Sequence, residues 1–156
     1  MVKLESKELE RLGDLPLAAD LERVRVYRDG CPGAAGALRG LVLRLSGGRA
    51  VALGNRIFLP RRCQGDLAVL AHELTHCAQY QAWGPWRYFA RGLAAQVREL
   101  LHRRFGWGAS PYAYRLEEGK PFESYGIEQQ GQIVEDSVRG DADARTITAT
   151  RCAPAR

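Results

Sequence analysis

"LAVLAHELTHCAQYQ", residues 67–81, contains two of the three histidines of the chain, His72 and His76, four positions apart, with Glu73 beside the first. Asp66 is a suitable N-cap for a helix, and the apolar residues that follow recur at helical spacing. Side chains four residues apart lie above one another on the same helix face. Both imidazoles can therefore reach one metal ion, and the spacing is typical of a hydrolytic zinc site.

Glu73 lies beside this pair and not within it, about 100° around the helix from His72. A carboxylate in that place can take a proton from an attacking water instead of binding the metal. We therefore predict that Glu73 is the general base. The five-residue pattern also arises by chance, but here it lies on a capped helix that follows a predicted sheet, which is the context the motif requires. Cys77 is predicted to be a core thiol.

A catalytic zinc normally has three protein ligands, so a third donor must come from another element. His102 is rejected because it falls on an arginine-rich helix face, where a dication is unfavourable. In "ESYGIEQQGQIVED", Glu128 is the predicted third ligand, and Gly131 would let its helix approach the histidine helix closely. Glu135 is a weaker candidate, and Glu123 is expected to interact with the helix dipole. A solvated surface role for Glu128 stays open.

Composition and periodicity predict one α+β domain. The 156 residues, 46% of them hydrophobic, suffice for one ordinary core. "LERVRVYRD" and "LVLRLSGGRAVALGNRIFLP" are typical of short strands in an antiparallel sheet, with "GCPGAAGALRG" as a loop between them. Two further long helices follow the histidine helix. The predicted divisions are a helical extension (1–19), a folded domain (20–139) and a disordered tail (140–156).

The two later helices have apolar faces of their own. One helix, from about residue 85 to 104, is predicted to bury a stripe made of Trp86, Phe89, Leu93, Val97, Leu100 and Leu101. The other, over about 122–138, places Ile127, Gly131, Val134 and Val138 on one face.

Charge and cysteine content exclude several classes of protein. The net charge of +5 comes mainly from arginine, but the arginines are scattered and no aromatic-basic motif accompanies them, so we do not expect a nucleic-acid partner. The four cysteines form no Cys-x-x-Cys pair and are expected to be free thiols. No secretory signal or membrane span is found, so we expect a cytoplasmic protein unless a dedicated device exports it.

Four segments in order, "VRVYR", "GNRIFLP", "LAHELTHCAQYQ" and "YGIEQQGQIVED", resemble a metallopeptidase-like core domain associated with extracellular contractile injection systems, which includes Vgr-related proteins. The resemblance covers about residues 20–139, and the site also resembles the gluzincin zinc peptidases. It implies a small zincin-like domain with Zn²⁺ held by His72, His76 and Glu128, and Glu73 as the base. Many relatives have an aspartate where Gln132 stands. Gln132 would then accept a hydrogen bond from a ligand histidine without contributing charge.

The resemblance implies a zinc metallopeptidase that acts on a peptide or protein and trims or releases spike or cargo proteins of an injection apparatus. An extended peptide would pair with the strand near "NRIFLP". The oxyanion stabiliser is unassigned; Tyr125 and Tyr114 are candidates, with Tyr112 and His102 also chemically suitable. The alternative is a catalytically silent zinc-binding interaction or assembly module. A DNA-dependent protease is a weaker third hypothesis, suggested only by the charge and the histidine motif.

Overall fold

The computed structural model describes residues 3–4, 6–12 and 19–152 and has the predicted α+β fold. The described residues form a three-stranded sheet and five α-helices. The strands are β1 (Arg25–Tyr27), β2 (Val51–Leu53) and β3 (Arg56–Phe58). The helices are α1 (Ser6–Leu12), α2 (Gly33–Leu45), α3 (Leu67–Phe105), α4 (Ile127–Arg139) and α5 (Ala142–Cys152). Short 3-10 helices lie at Leu21–Arg23, Arg61–Cys63 and Phe122–Ser124.

The sheet has the strand order β1, β3, β2, which makes β3 the central strand. β2 and β3 form the predicted antiparallel hairpin, and Gly54 in its turn has a φ of 65°, which suits the first position of a tight turn. β1 pairs with β3 in parallel, with Val26 opposite Ile57. The sheet is therefore mixed and not antiparallel as predicted. A parallel pair needs a long crossover, and α2 lies in that crossover.

Helix α2 replaces the loop and the first strand that the sequence predicts over residues 30–45. Its leucines alternate at Leu41, Leu43 and Leu45, which imitates a strand, but the same segment also has apolar residues at helical spacing. Leu41 and Leu45 are 56% and 79% exposed, so the helix lies at the surface. The alternation of apolar residues did not distinguish a strand from a helix here, because no residue of α2 is buried.

Helix α3 consists of two arms that meet at Gly84, whose φ of 76° and ψ of 169° are not helical. The break falls between the histidine helix and the separate helix that the sequence predicts from about residue 85. The N-terminal arm (67–83) contacts β2 and β3 as well as α4, and residues 70–79 are all buried. The Asp66 side chain caps this arm as predicted, accepting from the backbone N–H groups of Ala68 and Val69.

The C-terminal arm (85–105) does not bury its predicted apolar stripe. Trp86 is 88% exposed, Leu93 67% and Leu100 63%, which contradicts that prediction. The arm buries Tyr88 and Ala95 instead, which lie on another side of the helix. The core beside the N-terminal arm is already filled by the sheet and α4, so amphipathic spacing alone did not identify the buried side.

The third predicted long helix is divided, because a 3-10 turn at Phe122–Ser124 precedes α4. Helix α5 stands where the sequence predicts a disordered tail over 140–156. It is anchored by Ala144 and Thr148, both buried, and the Thr148 hydroxyl lies 3.1 Å from that of Ser137. Residues 153–156 lie outside the described residues.

At the other end of the chain, α1 lies within the predicted helical extension (1–19). Leu4 and Leu12 are buried there. Residues 13–18 of the extension lie outside the described residues. Over the described part of the chain, no helix combines the length and apolar character needed to cross a membrane.

Candidate metal centre

The N-terminal arm of α3 and helix α4 bring His72, His76 and Glu128 together. One nitrogen of each histidine and one carboxylate oxygen of Glu128 all lie within 4.8 Å of one another. Glu128 Oε2 is 3.7 Å from His72 Nε2 and 3.4 Å from His76 Nε2. All three side chains are buried, so the solvated role left open for Glu128 does not apply. Two imidazoles and one carboxylate are a donor set that suits zinc.

Gly131 allows α4 to approach this closely, as the sequence predicts. A Cβ at Gly131 would lie 2.8 Å from His72 Nε2 and 2.9 Å from its Cε1. These distances are shorter than a normal van der Waals contact, so any larger residue displaces the imidazole.

We expect Gly131→Ala to weaken metal binding about 10- to 100-fold, as loss of correct ligand orientation does, and to cost about 1–3 kcal/mol of folding stability through overpacking. Gly40→Ala is the matched control, because Gly40 is also helical and a Cβ there meets nothing within 4 Å. Chelator competition and denaturant unfolding measure the two effects. Equal metal affinity of the two variants would show that His72 is not held by this contact.

Gln79 orients His76. Its Nε2 donates to the carbonyl of Ile127 and to Gln130 Oε1, so its Oε1 must accept from His76 Nδ1 at 2.8 Å. This bond fixes the ring so that Nε2, the other nitrogen, faces Glu128. Gln79 was not among the residues predicted from the sequence, although its position three residues after His76 on the same helix face was an available signal.

Glu135 occupies the place beside His72 that was predicted for Gln132. Glu135 Oε2 lies 3.1 Å from His72 Nδ1, an ion-pair distance without well-aligned hydrogen-bond geometry. The Gln132 amide instead donates to Asp136 Oδ1 at 2.9 Å, so its predicted bond with a ligand histidine is replaced. Arg139 also donates to Glu135, which fixes the carboxylate from its other side. Glu135, about one turn further along α4, thus supplies the negative charge that Gln132 lacks.

The buried charges of this cluster depend on one another. Burial on its own lowers the pKa of His72, but the carboxylates of Glu128 and Glu135 outweigh it and raise that pKa to about 10. Burial raises the pKa of Glu128, while hydrogen bonds to the two histidines bring it well below its usual range. In the metal-free protein, a positive charge on His72 therefore balances the carboxylates. The cluster favours a cation at this place.

Glu73 lies apart from the three candidate ligands. Its side chain is 5% exposed and lines the cleft beside the histidines. The backbone N–H of Ala52 in β2 hydrogen-bonds to the carboxylate, whereas Glu73 Oε2 has no hydrogen-bond partner among the described residues. Burial raises the pKa of Glu73 above its usual range. Cys77, by contrast, is fully buried in the core, as expected of a structural thiol.

A cleft of about 810 Å³ opens onto the cluster. Its walls come from α2, β2, both arms of α3 and α4, and a volume of this size suits a ligand site. The walls are largely apolar, with Leu45, Leu53, Phe89 and Leu93 among the lining residues. Arg49 also lines the cleft and adds a basic group.

Two tyrosines line this cleft. The Tyr88 hydroxyl donates to the carbonyl of Ala52, whereas the ring centroid of Tyr112 lies 6.4 Å from that of His72. Burial raises the pKa of Tyr112 to about 12. The two tyrosines preferred from the sequence are engaged elsewhere: the Tyr114 hydroxyl donates to Asp136, and the Tyr125 hydroxyl accepts from the backbone N–H of Glu117. His102 donates to the carbonyl of Gly108. Spacing alone does not show which tyrosine between α3 and α4 faces the cleft.

Comparison with known proteins relates part of the chain to secretion machinery. Residues 13–84 match the eCIS core domain, a range that contains both histidines and Glu73 but ends at Gly84, before Glu128. A segment of 65 residues is 42% identical to the Type VI secretion system spike protein VgrG2b of Pseudomonas aeruginosa. That segment covers 42% of this chain and 6% of VgrG2b. No solved structure matches the chain. These similarities support an association with contractile injection systems.

Proposed function

We propose that this chain is a zinc-dependent peptidase module that works with a contractile injection system. The observation that carries the proposal is the buried cluster of His72, His76 and Glu128 with the separate carboxylate of Glu73 beside it. Support for the association with an injection system comes from the similarity to the eCIS core domain and to a Type VI secretion spike protein.

The residues of the cluster fit a zinc ion by their chemistry. The Gln79 hydrogen bond orients the His76 ring with Nε2 towards Glu128, which presents an oxygen to both imidazoles. His72, His76 and Glu128 would hold the ion beside the cleft. When bound, zinc polarises a carbonyl and makes a nearby water more acidic.

Glu73 is suited to proton transfer by its surroundings. The Ala52 N–H hydrogen-bonds to the carboxylate, and Oε2 is buried without a hydrogen-bond partner among the described residues, so it can accept a further hydrogen bond. A raised pKa brings the carboxylate closer to the working pH of a general base. Glu73 would take a proton from the attacking water and return it to the leaving amine. Tyr112 lines the cleft with its ring centroid 6.4 Å from that of His72, and its hydroxyl would donate to the developing oxyanion.

The substrate path differs from the one predicted. The strand near "NRIFLP" is β3, which is central and paired on both sides, so it offers no free edge. β2 is the edge strand beside the cleft, but the carbonyl of Ala52 already accepts from the Tyr88 hydroxyl at 2.8 Å. Its N–H is also engaged, by Glu73. A peptide would therefore be held mainly by the side chains that line the cleft.

This occupied edge favours a second candidate function, a metal-stabilised assembly module that cleaves nothing. In that case the ion joins α3 to α4, and Glu73 serves to bind Ala52 in the sheet. The two candidates share the same ligands and differ in whether Glu73 acts on a substrate.

Metal removal separates the two candidates. We expect the zinc-loaded chain to cleave a denatured, fluorescently labelled protein, to stop when a chelator is added, and to recover with zinc but not with magnesium. The chelator should also lower the melting temperature, because an ion bound to the native state alone stabilises it. A lowered melting temperature with no cleavage in either form would exclude the peptidase and leave the assembly module. Cleavage that persists in the chelator would contradict the proposed chemistry.

A further inference from the structure

The outer surface of the C-terminal arm of α3 is apolar and exposed. Five apolar residues of this surface recur at spacings of three and four: Trp86, Phe89, Leu93, Val97 and Leu100. We call these five residues the outer face. Their exposed fractions run from 47% for Val97 to 88% for Trp86. Among soluble domains, a contiguous apolar surface of this kind marks an interaction site.

The same arm is also strongly basic. Residues 85–105 contain five arginines and one glutamate, so a net charge of +4 falls on this arm, compared with +5 for all 156 residues. Arg87 and Arg98 each follow a member of the outer face by one position and therefore lie about 100° around the helix from it. The single acidic residue, Glu99, accepts from the Ser110 hydroxyl.

Tryptophan is concentrated at the same place. The three tryptophans of the chain are Trp83, Trp86 and Trp107, immediately before the arm, at its start and just after its end. Trp86 and Trp107 are 88% and 68% exposed, and Arg91 lies over the ring of Trp83 at 4.4 Å. Exposed tryptophan beside arginine on an amphipathic helix is the composition of helices that lie in a membrane interface.

We propose that the outer face of the C-terminal arm binds the surface of membranes that contain anionic lipid. A second copy of the chain is a poorer occupant, because pairing two such helices brings their arginine rows together. Anionic headgroups supply the missing negative charge, while the apolar side chains enter the interface. Leu45 and Leu93 both line the cleft, so the apolar surface continues across the cleft mouth towards α2. This binding does not depend on the metal centre.

Sedimentation with lipid vesicles tests the proposal on the full chain, with a chelator present so that the metal centre plays no part. We expect binding to vesicles of phosphatidylcholine mixed with phosphatidylglycerol, weakening as salt is added, and little binding to phosphatidylcholine alone. Tryptophan emission should shift to shorter wavelength on binding, because the exposed indoles leave water. Absence of binding to the anionic vesicles at low salt would overturn the proposal.

Two sets of variants locate the binding surface. The combined change Arg87→Gln, Arg98→Gln and Arg104→Gln should weaken binding on the order of 100-fold, from about 1 kcal/mol for each arginine near an anionic surface. The control removes equal charge elsewhere, at the exposed residues Arg11, Arg23 and Arg115, each changed to Gln. Equal loss in both sets would mean that net charge alone drives binding and would refute a specific face.

The apolar contribution has its own variant, Trp86→Ser with Val97→Ser and Leu100→Ser. These residues are exposed and lie outside the cleft lining, so the fold and the candidate metal centre should be retained. We expect at least a tenfold loss of vesicle binding and no remaining shift in emission. If sedimentation velocity instead shows a dimer that this variant dissociates, the outer face is a contact between copies and the membrane proposal fails.

Discussion

Replacing Glu128 by Ala is expected to abolish stoichiometric zinc binding. The loss of affinity should exceed the roughly 10- to 100-fold that follows when a group that hydrogen-bonds to a metal ligand is removed. Glu128 is the one carboxylate whose oxygen lies within 4 Å of both histidine Nε2 atoms, among the described residues. Its removal leaves two imidazoles, which is fewer protein ligands than a catalytic zinc normally has. Elemental analysis of the purified chain and competition with a chromophoric chelator measure the effect.

A graded series makes this experiment specific. Glu128→Gln keeps the shape of the side chain and removes its charge, so it separates lost coordination from lost packing. Glu135→Gln removes the carboxylate beside His72 Nδ1 and should weaken binding about 10- to 100-fold. The exposed Glu118→Gln should have no effect. Zinc stoichiometry that is unchanged in both Glu128 variants would remove Glu128 from the ligand set.

Glu73→Gln is expected to lower kcat about 10²- to 10⁴-fold, the contribution typical of a positioned general base. Zinc content and melting temperature should stay as in the parent chain. Two observations support this separation: Glu73 is not among the three candidate ligands, and its carboxylate is buried with a raised pKa. A neutral amide of the same shape can accept from the Ala52 N–H through its oxygen and needs no charge.

Cleavage of the same denatured protein by parent and variant, both loaded with equal zinc, measures this loss. Equal rates would show that Glu73 does not act on the substrate. Tyr112→Phe provides a useful comparison, because it removes one hydroxyl from the cleft and leaves Glu73 and the ligands in place. A smaller loss in Tyr112→Phe than in Glu73→Gln would agree with a base that is essential and an oxyanion donor that assists.

Several features of α3 and α4 could be predicted from the sequence. The cap at Asp66, the break at Gly84 and the close approach at Gly131 each follow from a local rule about one residue, and the structure confirms all three. The choice of Glu128 over Glu135 as a ligand depended on which carboxylate faces the histidines. The structure places Glu128 near both Nε2 atoms and Glu135 near His72 Nδ1.

Two features with clear periodicity were assigned to the wrong environment. The stripe from Trp86 to Leu100 has the spacing of a buried helix face, yet it lies in solvent because the sheet and α4 already cover the preceding arm. Residues 33–45 combine strand-like alternation with helical spacing, and the surface position of α2 gave no burial signal to separate them. Periodicity reports that a face is apolar but not what covers it.

The sequence by itself determined the α+β class, the helix that carries His72 and His76, and the candidate base between them, because these depend on spacing within one element. Tertiary structure alone decided which side chains complete the centre. Glu135 and Tyr112 reach His72 only after α4 and the loop before it pack against α3. Contacts between distant elements depend on the path of the whole chain, which no local pattern encodes.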